Sequence, residues 1–308
     1  MKMRTIAGLV IALSAATSSS AQTVDWNGDV FAGFKASLQD AAAPAAVPAA
    51  AQPAPARSAA CSATGPMNAA QLHRFYGLTY MFEYSSSEPD YGKLAPMKEG
   101  DGDGRAYCTG IIGFCSNTDD LADVIEVYTQ LRPGNMLAGY VPIMRMLSAA
   151  HSGSPKGLEG LPAAWNAVSD DPLLHQAQET IRDKEYYSPA MALAEQLGIK
   201  TVVGRDVLYD TCVQHGVGGT HDLVGRLQKV LPDTPLSGRI SEKDWLLAFL
   251  KVRKAELEHA SDPATAQVWA ESAPRADVLS NLILDGNWDY CRPLHLRSAS
   301  DWDGEVVP

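Results

Sequence analysis

From about residue 61 onward, apolar side chains recur mostly at the three-to-four-residue spacing of amphipathic helices. Leu72, Phe75, Tyr76 and Tyr80 form the first such stripe. Further helices are expected over 119–131, 136–150, 173–185, 189–197, 205–215, 221–230, 241–258, 264–271 and 275–283. Ser241 and Asp244, followed by Trp245, Leu246, Leu247, Phe249 and Leu250, have the form of a capping box with Asp in the place of the usual Glu. Pro142 falls inside 136–150, so it either kinks that helix or sits in its first turn. Pro133-Gly134 marks the turn ahead of it. The clearest strand signal is the short apolar run Gly110-Ile111-Ile112-Gly113-Phe114. The pattern predicts a mainly α, α+β domain without internal repeats.

The first sixty residues read differently. Lys2 and Arg4 precede the apolar run Ile6 to Ala16, and Ser19-Ser20-Ala21 supplies small residues for cleavage. This is the form of a secretory signal peptide, cut near Ala21. The run is shorter than the roughly 20 apolar residues a membrane span needs. The expectation is a secreted protein, extracellular or periplasmic, with no membrane contact after cleavage. Residues 41–60 are an Ala/Pro tract in which proline forbids a continuous helix and favours extended, semi-rigid chain. Ahead of it, Val24, Trp26, Val30, Phe31, Phe34 and Leu38 include a run that would line one side of a small helix. The chain divides into a signal at 1–21, a spacer and linker at 22–60, and a folded domain at 61–308.

The 308 residues are 46% hydrophobic, enough for a core that needs no metal or disulfide staples. Lys and Arg number 25 and Asp and Glu 36, a net charge of −11. Loss of the signal with Lys2 and Arg4 takes it to −13. Such a chain is a poor sequence-independent nucleic-acid binder; on charge alone the acidity serves solubility first and a cationic partner second. Five cysteines leave at least one thiol without an intrachain partner. None has CxxC or zinc spacing, so neither a structural metal nor another cofactor is expected.

Two stretches carry candidate chemistry. Glu83 lies eleven residues after Leu72, close to three helical turns, so it continues the apolar stripe inward or into a cleft. A carboxyl among apolar groups tends to stay protonated and to act as a general acid. Asp103 lies between Gly102 and Gly104 in a turn that presents a carboxylate, with Arg105 two residues on to hold a carboxylate ionised. One neutral and one charged acid is what glycoside hydrolysis needs. Taken alone, the pattern is weak and fits better a solvated helix-end Glu and a plain Gly-Asp-Gly turn. Glu88, in the same Ser-rich turn as Glu83, is a rival for the acid. A calcium loop from Asp101 fails because Arg105 falls on a ligand position. Gly216, Gly218 and Gly219 lack the Lys-Ser/Thr of a phosphate loop.

Phe82-Glu83-Tyr84-Ser85-Ser86, then Asp103-Gly104-Arg105-Ala106, then Gly110-Ile111-Ile112-Gly113-Phe114-Cys115-Ser116 and Thr118-Asp119-Asp120 resemble, in order, the chitosanases of glycoside hydrolase family 46, with family 80 a close relative. Arg132-Pro133-Gly134-Asn135, Ala164-Trp165, Gln176-Ala177-Gln178, Tyr209-Asp210, His215-Gly216, Phe249-Leu250 to Arg253 and Arg275-Ala276-Asp277 extend the likeness over about 67–280. The resemblance implies a lysozyme-like fold of two lobes with a substrate cleft between them. It implies endo-hydrolysis of β-1,4-linked glucosamine in chitosan, with inversion. Glu83 would be the general acid and Asp103 the general base. Arg105, Tyr107, Thr109, Asp120 and His215 would contact substrate, Asp120 by pairing with a glucosamine ammonium. Asp210, Arg253 and Arg275 would form a charged network behind the cleft.

The chain departs from the family at Ala106, where Gly is usual, and at Cys108, where the Thr that positions the attacking water is usual. Thr109 sits one place later, and Ala260 replaces a Glu of the Arg network. With the cleft so placed, the expected disulfides are Cys108–Cys212 and Cys61–Cys291, with Cys115 free in a buried run. The partner implied is chitosan, a polycation when its amines are protonated, acted on by a monomer. A non-catalytic chitosan-binding protein on the same scaffold and a lysozyme-like muramidase are the alternatives. The acidic charge disfavours the latter, because bacterial walls are anionic.

Overall fold

The computed structural model describes residues 61–96, 107–260 and 263–308. Helix α1, Ala69–Tyr84, starts at Asn68, whose side chain accepts from the Gln71 amide while the Gln71 side chain accepts from the Asn68 amide. This reciprocal pair satisfies two of the donors that a helix start leaves open. Ser85, at φ 61°, ends the helix in the left-handed region. Phe75, Leu78 and Phe82 face the core.

The run at 110–114 is not the strand it was expected to be. Strand β1 is Leu94–Pro96, β2 is Tyr107–Thr109 and β3 is Phe114–Cys115, in one antiparallel sheet of that order. Gly110 and Gly113, at φ 71° and 73°, turn the chain between β2 and β3 and bury Ile111 and Ile112 within the turn. Left-handed backbone at both glycines is incompatible with a continuous strand.

The same hairpin corrects the cysteine pairing. Cys108 stands opposite Cys115 in the β2–β3 register, and the two are bonded, with Cα atoms 4.1 Å apart. The expected Cys108–Cys212 bridge therefore does not form, Cys115 is not the free thiol, and Cys212 is buried and unbridged. Cys61–Cys291 does form and ties the start of the described domain to a segment 230 residues on.

Helix α2, Asp120–Leu131, matches its expected span. Pro142 sits in the first turn of α3, Val141–Ala149, after a short 3₁₀ turn at Ala138–Tyr140, so it starts the helix and does not kink it. Helix α4, Leu161–Val168, had no clear signal. Helix α5, Pro172–Arg182, runs through a π turn at Asp183–Tyr187 into α6, Ser188–Leu197. The expected helices at 205–215 and 221–230 are two arms of α7, Val202–Val230, broken at Gly216 with φ 69° and ψ 166°. Helix α8, Glu242–Glu258, is capped by Ser241, which accepts from the Asp244 amide at 3.1 Å and donates to the Asp244 carboxylate at 2.6 Å. Asp244 is one methylene shorter than Glu and binds the hydroxyl, so the box closes on the cap side chain. Helices α9, Pro263–Ser272, and α10, Pro274–Leu284, are followed by a hairpin of β4, Leu294–Arg297, and β5, Asp303–Val307.

The first arm of α7 is buried almost throughout and packs against α1, α6, α8 and α10. Helix α2 packs against α5 and β3. Trp165, Trp245, Phe75, Phe114 and Phe249 are all fully buried in one continuous apolar core. Among the described residues no helix is long and apolar enough to cross a membrane.

Candidate active site

The stripe that places Phe75, Leu78 and Phe82 in the core also carries Glu83 inward, to 3% exposure at the last turn of α1. Its neighbour Phe82 packs edge-on to Trp302 at 5.5 Å, and the Arg275 guanidinium lies 5.0 Å from the Phe82 ring. Apolar walls were expected around Glu83. A cation is also there: Arg275, in the first turn of α10, donates from Nη1 to Glu83 Oε1 at 2.7 Å.

Arg275 continues the contact inward. Its Nη2 donates to Asp210 Oδ1 at 2.6 Å, and Arg253 Nη2 donates to Asp210 Oδ2 at 2.7 Å. Thr79, one turn before Glu83 on α1, donates its hydroxyl to Asp210 Oδ1 at 3.1 Å. Glu83, Arg275, Asp210 and Arg253 thus alternate in sign along a buried chain drawn from α1, α10, α7 and α8. Burial by itself would push the Asp210 carboxyl up, but the Arg275 and Arg253 charges and their hydrogen bonds overcome it and hold it at about 2. A buried ion pair of this kind adds little net stability over apolar residues, yet removing one member is expensive. Its effect is to fix Glu83 and Arg275 in one geometry.

The residues expected to touch substrate are dispersed by burial. Tyr107 is half-buried on β2, its amide donating to Ser116 Oγ. Thr109 is fully buried, its hydroxyl without a hydrogen-bond partner. Asp120 opens α2, and its carboxylate accepts from the amides of Cys115 and Leu121, the hydroxyl of Thr118 and the phenol of Tyr186, at 2.6–3.0 Å. Burial raises that carboxyl to about 6 against the pull of those bonds. At 3% exposure it anchors the start of α2 internally. His215, at 2% exposure, packs edge-on against Trp269 at 5.1 Å. Burial, then the Arg253 and Arg275 charges, press its pKa well below the usual histidine range, which favours the neutral ring. Asp103 and Arg105 lie outside the described residues; the strands that flank them, β1 and β2, pair with Pro96 opposite Tyr107. Glu88 is 69% exposed beside His73 and stands on the surface, apart from the buried chain.

Three groups had not been singled out. Asp206, one turn before Asp210 on α7, is fully buried and accepts from the Tyr290 phenol at 2.7 Å, with Oδ1 unpartnered. Burial holds its carboxyl well above the ordinary range. Gln214, one turn after Asp210, accepts from Arg253. The spacing 206, 210, 214 sets three polar groups on one face of an otherwise apolar helix, and that was the available signal. Arg182, at 6% exposure, lies 3.7 Å over the Tyr76 ring and donates to the Tyr80 phenol at 2.9 Å, which orders the aromatic face of α1 upstream of Glu83.

A family-wide sequence model, Glycosyl hydrolase family 46, matches residues 77–294. The chain is similar to the chitosanase of Bacillus subtilis (strain 168), 36% identical over 236 residues that cover 75% of this chain and 83% of that one. It is similar to the chitosanase of Streptomyces sp. (strain N174), 36% identical over 210 residues, 65% of this chain and 70% of that one. Among solved structures, the native chitosanase from Bacillus subtilis MY002 superposes with a TM-score of 0.73 at 35% identity, covering 79% of this chain and all of that one. A Gynuella sunshinyii GH46 chitosanase in complex with chitotetraose gives 0.73 at 33% identity, covering 79% and 99%.

Proposed function

The chain belongs to glycosyl hydrolase family 46, and on that premise we propose that it is an exported chitosanase that cuts β-1,4 glucosamine linkages within chitosan, with inversion. The observation that carries this reading is the buried carboxyl of Glu83, seated at the end of an apolar stripe and fixed by Arg275, Asp210 and Arg253. The solved relative from Gynuella sunshinyii holds chitotetraose, and a mutant of the Bacillus subtilis MY002 chitosanase holds 6 GlcN. Both support a glucosamine oligomer as the substrate class.

In this mechanism Glu83 acts in its protonated form, reached from the Arg275-paired carboxylate by uptake of a proton before the chemical step, and gives that proton to the glycosidic oxygen as that bond breaks. Asp103 takes a proton from the water that attacks the anomeric carbon from the opposite face, and the product anomer is inverted. Inversion needs room for that water, so the carboxyls belong about 6.5–9.5 Å apart or more. Glu83 and Asp103 come from different segments of the chain, α1 and the stretch between β1 and β2, which is compatible with such a gap. Cys108 is spent in a disulfide and offers no hydroxyl for the water. Thr109, the next residue on β2, is fully buried and points to the opposite face of the strand from Cys108, so it does not take over that role.

Viscosity loss and oligomer release from chitosan, set beside chitin and cell wall, test the substrate. Glu83→Gln and Asp103→Asn are each expected to lower kcat by about 10²–10⁴-fold, the range of acid–base catalysis. Near-normal turnover in Glu83→Gln would overturn its assignment as the acid, and absence of release from chitosan would overturn the substrate.

A further inference from the structure

A groove of about 510 Å³ opens between α6, the start of α7 and the turn that holds Leu236. Its walls include Tyr187, Met191, Ile199 and Leu236, and Leu236 is 66% exposed. Lys200 and Arg205 stand on the same surface. Nothing in the proposed reaction uses this groove. Thr64 and Gly65 line it and precede α1, whereas Glu83 ends α1; a 16-residue helix separates the two by about 24 Å.

The chain enters the folded domain at this same place. Cys61 is bonded to Cys291, Thr64 bridges Thr201, the Val202 amide donates to the Ala63 carbonyl at 2.8 Å, and Arg205 donates to the Gly65 carbonyl at 2.8 Å. Whatever precedes Cys61 is therefore delivered to the rim of the groove. What precedes it is the Ala/Pro tract and, before that, Trp26, Val30, Phe34 and Leu38 at a strict four-residue spacing, with Phe31 beside them. On a helix these residues form one apolar face. The stretch 22–40 carries Asp25, Asp29 and Asp40 against Lys35, a net −2, opposite a groove whose charges are Lys200, Arg205 and Glu195, a net +1.

We propose that residues 24–38 dock as an amphipathic helix in this groove of their own chain, with the Ala/Pro tract as the tether. The apolar face would cover Met191 and Leu236, and the acidic side would meet Lys200 and Arg205, the helix-in-groove mode of recognition. Reach is ample: the 22 residues 39–60 span about 70 Å when fully extended as polyproline. Because the tether is short, docking is intramolecular at millimolar effective concentration, and modest affinity suffices.

Hydrogen exchange on the mature full-length chain tests this, with two variants. Leu236→Asp changes an exposed groove residue and leaves the core intact, and Phe31→Asp with Phe34→Asp changes only the segment. Amides of residues 26–38 are expected to exchange about tenfold faster in Leu236→Asp than in wild type, as a docked segment released to solvent would. The segment variant is expected to speed exchange at Lys200 and Thr201, on the groove side. Equal rates in all three proteins would overturn the proposal. Protection that disappears on dilution would also overturn it, by assigning the groove to the segment of a second copy.

Discussion

Asp210→Asn is the sharpest test of the buried charge chain, because the substitution removes one charge and almost no volume. In the wild type, the Asp210 carboxyl stands at about 2 against an ordinary 3.8. That difference corresponds to about 2.5 kcal/mol of stability at neutral pH. Truncation costs more than this linkage figure, since Arg253 and Arg275 would stay buried beside Glu83 with one carboxylate fewer. Breaking a buried pair costs about 3–5 kcal/mol, and that is the expected loss at pH 6 by urea unfolding. The pH dependence carries the sign. A carboxyl depressed by folding stabilises above its unfolded pKa and loses that contribution as pH falls through its folded value. The gap between wild type and Asp210→Asn should therefore narrow below pH 4, by about 1 kcal/mol at pH 3. Arg275 would keep Glu83 but lose its inner anchor, so kcat should fall with KM little changed. A loss under 1 kcal/mol at pH 6, or a gap that widens toward pH 3, would refute the reasoning.

Asp206→Asn is expected to behave oppositely: a carboxyl raised by burial costs stability as pH climbs above its unfolded value near 3.9, at up to about 1.4 kcal/mol per pH unit, so the variant should gain on wild type from pH 4 toward pH 7 in thermal unfolding. Alkylation of denatured, unreduced protein should label Cys212 alone, and Cys108→Ser with Cys115→Ser should cost about 2.5 kcal/mol by loop-closure entropy; label on Cys115 would disprove the pairing. Raising salt should increase KM for chitosan more than it lowers kcat, because screening weakens capture of a polycation by a −13 chain; a kcat effect of equal size would argue against electrostatic capture.

Local periodicity made the helices legible, because each buries one face and repeats that face in sequence. It read Glu83 inward for the same reason. It failed where structure depends on partners distant in the chain. The run 110–114 is apolar because it is buried, but its glycines make it a turn, and periodicity over five residues does not distinguish the two. Cys115 reads as a free thiol because it lies in a buried glycine-bounded run, and no local signal shows that Cys108 stands opposite it in a hairpin. Asp120 looked like a carboxylate at a helix start, and nothing local reveals that Tyr186, sixty-six residues on, occupies it.

The ion chain shows how far such reasoning reaches. Glu83, Asp210, Arg253 and Arg275 lie on four helices, and their sequence spacing says nothing of contact. Yet each is a charge set in an apolar face, and a charge so placed must be neutralised or paired. It was the resemblance to family 46 that grouped Asp210, Arg253 and Arg275 as one network, and Glu83 joins it through Arg275. The order along the chain was not deducible, and it matters most: Arg275 stands between Glu83 and Asp210, so the residue that fixes the proposed acid is itself fixed by a carboxylate out of reach of solvent. Glu83 is then set by helix packing on one side and by a rigid cation on the other. A side chain with three rotatable bonds acquires one geometry, and an acid that must meet a glycosidic oxygen within hydrogen-bond distance requires that.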